Sequence, residues 1–206
     1  MYIAIAGNIG SGKTTLTRML ARHYGWEPKF ESVVDNPYLE DFYKDICRWS
    51  FNLEVFFLKR RFMDILDIAR SQNTIIQDRS IFEGVYVFVA NNYAQGNLSQ
   101  RDFDTFMNLF EQMMGLVPKP ELMIYLKASL PHLFANIQKR GRDYEQTIRI
   151  DYLQGLNERY EDFIGNKYKG KVLVIDKDPL DFEHNPLDFR CITDKIDQQL
   201  FGLFRP

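Results

Sequence analysis

Cysteine is scarce in this chain. Cys47 and Cys191 are its only two, and neither shows the spacing of a metal or redox motif, which argues against a disulfide framework and a structural zinc site. Both read as reduced thiols in a cytoplasm. Charge of one sign is lacking too. The 26 Lys and Arg against 28 Asp and Glu leave a formal charge of -2, and no run of Lys and Arg exceeds three, so neither nucleic acid nor a membrane surface meets a basic footprint. Long hydrophobic runs are missing as well. The opening stretch Tyr2-Ile3-Ala4-Ile5-Ala6 is too short for a signal peptide or a membrane span, so the expectation is that nothing is cleaved or inserted. No internal repeat or low-complexity tract points to a solenoid or a biased linker.

What is present suits one well-buried domain over residues 1–206, with 45% apolar and 26% charged residues. Aromatics reach 15%, with 17 Phe, enough for large apolar walls in a core or around a ring-shaped ligand.

Gly7-Asn8-Ile9-Gly10-Ser11-Gly12-Lys13-Thr14 fits the pattern of Gly, four free positions, Gly, Lys and Ser or Thr without a mismatch. The short apolar run before it reads as a buried parallel strand. After it, from Thr14 and Thr15 onward, Leu16, Met19, Leu20 and His23 recur at helical spacing until Gly25. The glycines let the backbone turn tightly and aim its N–H groups at phosphate oxygens, with the positive end of a helix dipole behind them. Lys13 brings a point charge to the outer phosphates and Thr14 a hydroxyl to Mg2+, so residues 7–15 are the candidate site for ATP and its metal. A purely structural turn has no need of Lys-Thr at that offset.

Further apolar runs at 28–33, 74–77, 121–127 and 171–176 read as four more strands. Helical patterns cover 39–70 in two pieces, the aromatic-rich stretch up to 93, a segment opened by Ser99 and stopped by Pro118 and Pro120, then 130–139, 150–163 and 192–204. Residues 178–188, with two prolines and four acids, read as a surface loop. Strands separated by helical crossovers imply an α/β fold: a five-stranded parallel sheet with helices on both faces and ligands at the strand C-terminal ends. That topology brings Gly7, Glu31 and Asp78-Arg79 to one edge.

Each candidate has a plainer alternative. Glu31 can accept a proton from an attacking hydroxyl, or be a solvated strand-end carboxylate. Asp78 can hold Mg2+ while Arg79 neutralises a moving phosphoryl group, or the two form a surface ion pair. Arg140 and Arg142, flanking Gly141, read as a mobile lid over about 140–149 that grips phosphate, or as a basic helix end. Phe51, Phe56, Phe57 and Phe62 are core by default, with base stacking by one of them as the alternative.

The P-loop, the segment 43–54 beginning Tyr43-Lys44-Asp45, the Asp78-Arg79-Ser80 turn and the Arg140-Gly141-Arg142 lid occur in the order and at about the spacing of the deoxynucleoside kinases. The chain resembles that family, in its bacterial purine branch, from Met1 to about Asp176. The resemblance implies a P-loop kinase fold and ATP-dependent phosphorylation of a deoxyribonucleoside 5'-hydroxyl. It makes Glu31 the general base, although Ser32 stands where the family usually has Pro, and Arg79 the grip on the 5'-hydroxyl and the moving phosphoryl group. It makes Asp78 the acidic metal partner, Tyr43 and Glu145 the binders of the sugar 3'-hydroxyl, and Arg140 and Arg142 the lid arginines. Asn136 replaces an arginine that some members carry, and Phe88 falls where the family stacks a ring on the base. A homodimer is implied as well.

Where many members carry a base-reading Gln, this chain has Glu54. An ionised carboxylate accepts two hydrogen bonds, which suits the adjacent imino and amino N–H groups of guanine, and Arg61 can donate to the guanine carbonyl. In cytidine-selective relatives that arginine is engaged by an aspartate, and the matching position here is Gly84. The expected substrate is deoxyguanosine, with deoxyadenosine second. A deoxyadenosine/deoxycytidine kinase and a nucleoside monophosphate kinase stand as alternatives. A GTP switch is the remote one, because Asn166-Lys167-Tyr168-Lys169 lacks the acid of the guanine motif.

Overall fold

Strand β1 (Tyr2–Gly7) is buried along its whole length, which is what a run apolar on both faces requires of its surroundings. In the computed structural model, which describes residues 1–31, 36–145 and 148–202, β1 is the centre of a five-stranded sheet. β3 (Ile75–Asp78) pairs with one side of it and β4 (Leu122–Lys127) with the other. β2 (Glu27–Lys29) and β5 (Val172–Asp176) form the edges, giving the order β2-β3-β1-β4-β5 with every pairing parallel. The edge strand β5 shows the alternation that the central strands lack, with Leu173 and Ile175 buried and Val174 and Asp176 exposed.

The period of two splits the core between the faces. Ile3, Ile5, Leu122, Ile124 and Leu126 pack against Leu16 and Leu20 of α1 (Lys13–Tyr24) and Ile192 and Ile196 of α9 (Pro186–Phe201). Ala6, Met123 and Tyr125 face the larger cluster. That cluster includes α2 (Leu39–Lys44), α3 (Ile46–Arg70), α4 (Ile81–Glu83), α6 (Gln100–Met114), α7 (Leu130–Arg140) and α8 (Ile150–Asp162). Each fully buried Ile or Leu contributes about 1.5–3 kcal/mol relative to its exposed state. No helix of the described residues is long and apolar enough to cross a membrane.

Several element bounds differ from the sequence expectation. β2 is only three residues long and ends at Lys29, so Glu31 lies past the strand, while Ser32 and Val33 lie outside the described residues. As an edge strand β2 tolerates Pro28, which cannot donate to a ladder. The loop expected over 178–188 is cut short because Pro186 starts α9, with the Asn185 side chain accepting the Leu187 N–H at 3.0 Å. A proline read as loop punctuation is in fact the first helical residue, where a missing N–H costs nothing. That helix was expected to reach 204, and residues 203–204 lie outside the described ones. The helix opened by Ser99 ends at Met114, before the prolines. The aromatic stretch is helical in three parts, with a π-type widening at Gly84–Val89 between α4 and α5 (Ala90–Ala94). Such widenings re-aim side chains and recur at functional sites; this one carries Phe88.

Candidate active site

The C-terminal end of β1 runs through the glycine turn into α1. Gly10 has φ 84, and a Cβ there would come within 2.6 Å of the Leu133 carbonyl, so the turn lies directly against α7. Asn136 of α7 donates to the Gly10 carbonyl at 2.8 Å. The residue that replaces a lid arginine is thus engaged with the P-loop backbone. Gly12 precedes α1 as its N-cap and offers no side-chain cap, which leaves the first helical N–H groups available to an anion. Lys13 is folded back onto the Asn8 carbonyl at 2.9 Å, and burial, reinforced by Arg79, lowers it to about 8.

The Thr14 hydroxyl and Asp78 Oδ2 lie 2.5 Å apart, while Asp78 Oδ1 is buried without a hydrogen-bond partner. Burial raises the Asp78 pKa, and nearby Lys13 only partly opposes this. No cluster of three or more His, Cys, Asp or Glu among the described residues could hold a metal by itself. An Mg2+ ion nonetheless fits the orphaned carboxylate oxygen and the hydroxyl, because this ion commonly takes one or two protein oxygens and completes its shell with phosphate and water.

Arg79 is the one described non-glycine residue at positive φ, with φ 70, and the left-handed turn swings its side chain into the cleft mouth. Its Nε donates to Glu31 Oε2 at 2.9 Å, and Arg61 Nη2 reaches Glu31 Oε1 at 2.5 Å. Burial pushes the Glu31 carboxyl up, but Arg79 and Arg61 together overcome it and hold the group at about 2. The Arg79 guanidinium also lies 4.5 Å over the Phe88 ring. One face of the ring assigned to base stacking is therefore covered by the arginine.

Glu54 is buried on α3 and accepts from Asn92 Nδ2 at 3.1 Å. Burial raises it to about 8 in spite of Arg61 and Arg79. Arg61 pairs with Glu31 rather than Glu54. Its guanidinium lies 4.8 Å over the Phe57 ring and against Gly84, where any Cβ would collide with it. Its Nε is buried with no partner. At the far wall Glu145, inside a short helical turn (Asp143–Glu145), is nearly sealed from solvent. It takes both Arg140 Nε at 3.0 Å and Arg140 Nη2 at 2.7 Å, with Arg142 Nη1 at 3.3 Å. The lid arginines thus rest on the 3'-hydroxyl candidate. Tyr43 lines the same cleft. Residues 146 and 147 of the expected lid lie outside the described ones.

One cleft brings Lys13, Thr14, Glu31, Tyr43, Glu54, Arg61, Asp78, Arg79, Phe88, Arg140, Arg142 and Glu145 together. Of the aromatic group in α3, Phe57 borders it, while Phe51 and Phe62 pack on the core. A second, more open cleft shares Lys13, Thr14 and the two lid arginines and continues along Asn136, Lys177 and Phe182. Sequence reasoning did not single out Lys177, Phe182, Asn92, Glu83 or Tyr160. Only Glu83 had a local signal, the capping box Ser80-x-x-Glu83.

Comparison with known proteins agrees with the geometry. The family model described as deoxynucleoside kinase matches residues 3–201. A deoxyguanosine kinase of Bacillus subtilis is 38% identical over 200 residues, 93% of this chain and 94% of that protein. A deoxyadenosine/deoxycytidine kinase of the same organism is 35% identical over 196 residues, 94% and 90% respectively. Among solved structures, deoxyadenosine kinase from M. mycoides with bound dATP superposes with a TM-score of 0.85 at 31% identity, covering 96% of this chain and all of that one.

Proposed function

The chain belongs to the deoxynucleoside kinase family of ATP-dependent phosphotransferases, and from that premise we propose that it phosphorylates the 5'-hydroxyl of a purine deoxyribonucleoside, deoxyguanosine before deoxyadenosine. The observation that carries the proposal is the single cleft that the P-loop Lys13 and Thr14 share with Glu31, Arg79 and the buried Glu54. In this reading ATP lies in the second cleft with its terminal phosphate at Lys13, the N-terminus of α1 and the lid arginines. Thr14 and Asp78 would hold Mg2+, which would neutralise charge on the phosphates. Glu31, fully ionised, accepts the hydrogen bond of the 5'-hydroxyl and takes its proton. A carboxylate at about 2 is a weak base, and that is adequate where the transition state is loose and the proton leaves late. Tyr43 and Glu145 meet the 3'-hydroxyl once Arg140 and Arg142 turn to phosphate. The whole chain acts as one domain whose lid spans about 140–149, and homodimerisation belongs to the same reading.

A nucleoside monophosphate acceptor fits less well. It needs uncommitted cations at the acceptor end, whereas Arg61 and Arg79 are already matched by Glu31. Guanine is favoured by the buried, unpartnered Arg61 Nε, a donor for a carbonyl oxygen, next to the two acceptors of an ionised Glu54. A second reading, deoxyadenosine first, rests on the raised Glu54 carboxyl. Protonated, it offers one donor and one acceptor, as an amide does, and matches adenine. Catalytic efficiencies for the four deoxynucleosides and their monophosphates, with ATP and with or without Mg2+, test both. A preference for thymidine, or for any monophosphate, overturns the proposal.

A further inference from the structure

Tyr160 of α8 is fully buried, yet its hydroxyl meets three groups from other elements. It lies 2.7 Å from the Gly7 carbonyl at the end of β1 and 2.8 Å from Glu83 Oε1 on α4, and it accepts from Arg79 Nη1 at 2.9 Å. Its ring is clamped, stacked on Tyr125 of β4 with centroids 5.6 Å apart and met by the edge-on ring of Phe88. Glu83, equally sealed, completes the arrangement. Its Oε1 accepts the Gly7 N–H at 3.2 Å and lies 3.7 Å from Arg79 Nη1, and its Oε2 accepts the Ser80 N–H at 2.8 Å. Two side chains therefore bind both the N–H and the carbonyl of the first P-loop glycine, and the same two face the guanidinium of Arg79.

A tyrosine kept only for packing has no use for this. The ring alone would fill the space, and the hydroxyl of its stacked neighbour Tyr125 reaches Glu161, which does not line the cleft. The single proton of the Tyr160 hydroxyl faces two acceptors and can satisfy one at a time. The Arg79 and Gly7 donors supply the rest, which ties the four groups into one network. Arg79 needs such support, because its backbone holds a conformation that L-residues rarely adopt unless the surroundings fix it.

We propose that Tyr160 and Glu83 are a positioning pair that registers the P-loop against Arg79, so that the phosphate cradle and the guanidinium meeting the transferred phosphoryl group keep one spacing. This rests on the role of Arg79 given under the proposed function. Misplacement by about 1 Å can cost on the order of 100-fold in rate, so the loss of the hydroxyl is expected to appear in kcat.

The test is Tyr160→Phe, measured in the wild-type and in an Arg79→Lys background with ATP and the best deoxynucleoside at saturation. In the wild-type background kcat should fall by about 10-fold or more with the KM for ATP within about threefold. In the Arg79→Lys background the same substitution should change kcat by less than about twofold, because residues that act through one another are not additive. Equal losses in both backgrounds, or no loss in either, overturn the inference while leaving the role of Arg79 standing. Arg79→Lys with wild-type turnover overturns that role and the inference with it. If Tyr160→Phe does not fold, Glu83→Gln, which keeps the shape of the carboxylate, is carried through the same pair of backgrounds with the same criteria.

Discussion

Arg61 reaches Glu31 at 2.5 Å with its guanidinium in the space beside Gly84, where a Cβ built on that residue would run into it. A glycine on one helix thereby sets the electrostatics of a carboxylate on another segment. Gly84→Ala is expected to displace Arg61, and overpacking a filled site costs about 1–3 kcal/mol. Denaturant unfolding reads that loss, and kcat should fall in parallel as Glu31 loses a partner. A variant with unchanged stability and unchanged kcat would show that the contact has no consequence.

Glu31→Gln keeps the shape and removes the proton acceptor. Turnover at saturating nucleoside is expected to drop by roughly 100- to 10,000-fold. Because Arg79 and Arg61 hold the native carboxyl at about 2, below its ordinary value of 4.5, its contribution to stability is present above that value and disappears as pH falls toward 2. Acid titration of folding should therefore be flatter below pH 4.5 in Glu31→Gln than in the wild type. Identical titrations, or normal turnover, would remove Glu31 from its assigned role.

Burial holds Glu54 at about 8, so its charge changes within the range in which the enzyme can be assayed. Below that pH the neutral acid donates once and accepts once, as adenine requires. Above it the carboxylate accepts twice, as guanine requires. The ratio of kcat/KM for deoxyguanosine to that for deoxyadenosine is expected to rise from pH 7 to pH 9, and Glu54→Gln should abolish the slope and shift preference toward deoxyadenosine. Tyr43, Tyr152, Arg61 and Arg79 also border the cleft, but the ratio cancels any effect they have on both substrates alike. A ratio independent of pH in the wild type would disprove base reading by this carboxyl.

If Tyr43 and Glu145 take the sugar 3'-hydroxyl, a 2',3'-dideoxynucleoside leaves buried polar atoms without a partner, at a cost of about 1–3 kcal/mol. Catalytic efficiency should fall by about 5- to 150-fold, the same energy expressed as a rate ratio. Glu145→Gln should narrow that gap. Equal efficiency on both sugars would release the pair from this assignment.

The chain by itself determined what local chemistry can specify. The P-loop was legible because the apolar strand, the glycines, Lys13, Thr14 and the following helical period all fall within one short segment, and each needs only its neighbours. The parallel sheet followed from strand-like runs alternating with helical ones, and its C-terminal edge from the direction such crossovers impose. Which residues would converge on the cleft was readable mainly through resemblance, because those residues come from separate segments. Tertiary structure decided the pairings. Arg61 turned to Glu31 and not Glu54, Arg79 took the face of Phe88, Arg140 and Arg142 settled on Glu145, and Tyr160 reached Gly7 from 153 positions away. A buried charge or hydroxyl takes the nearest group that satisfies it, and nearness between distant segments exists only after the helices have packed on the sheet.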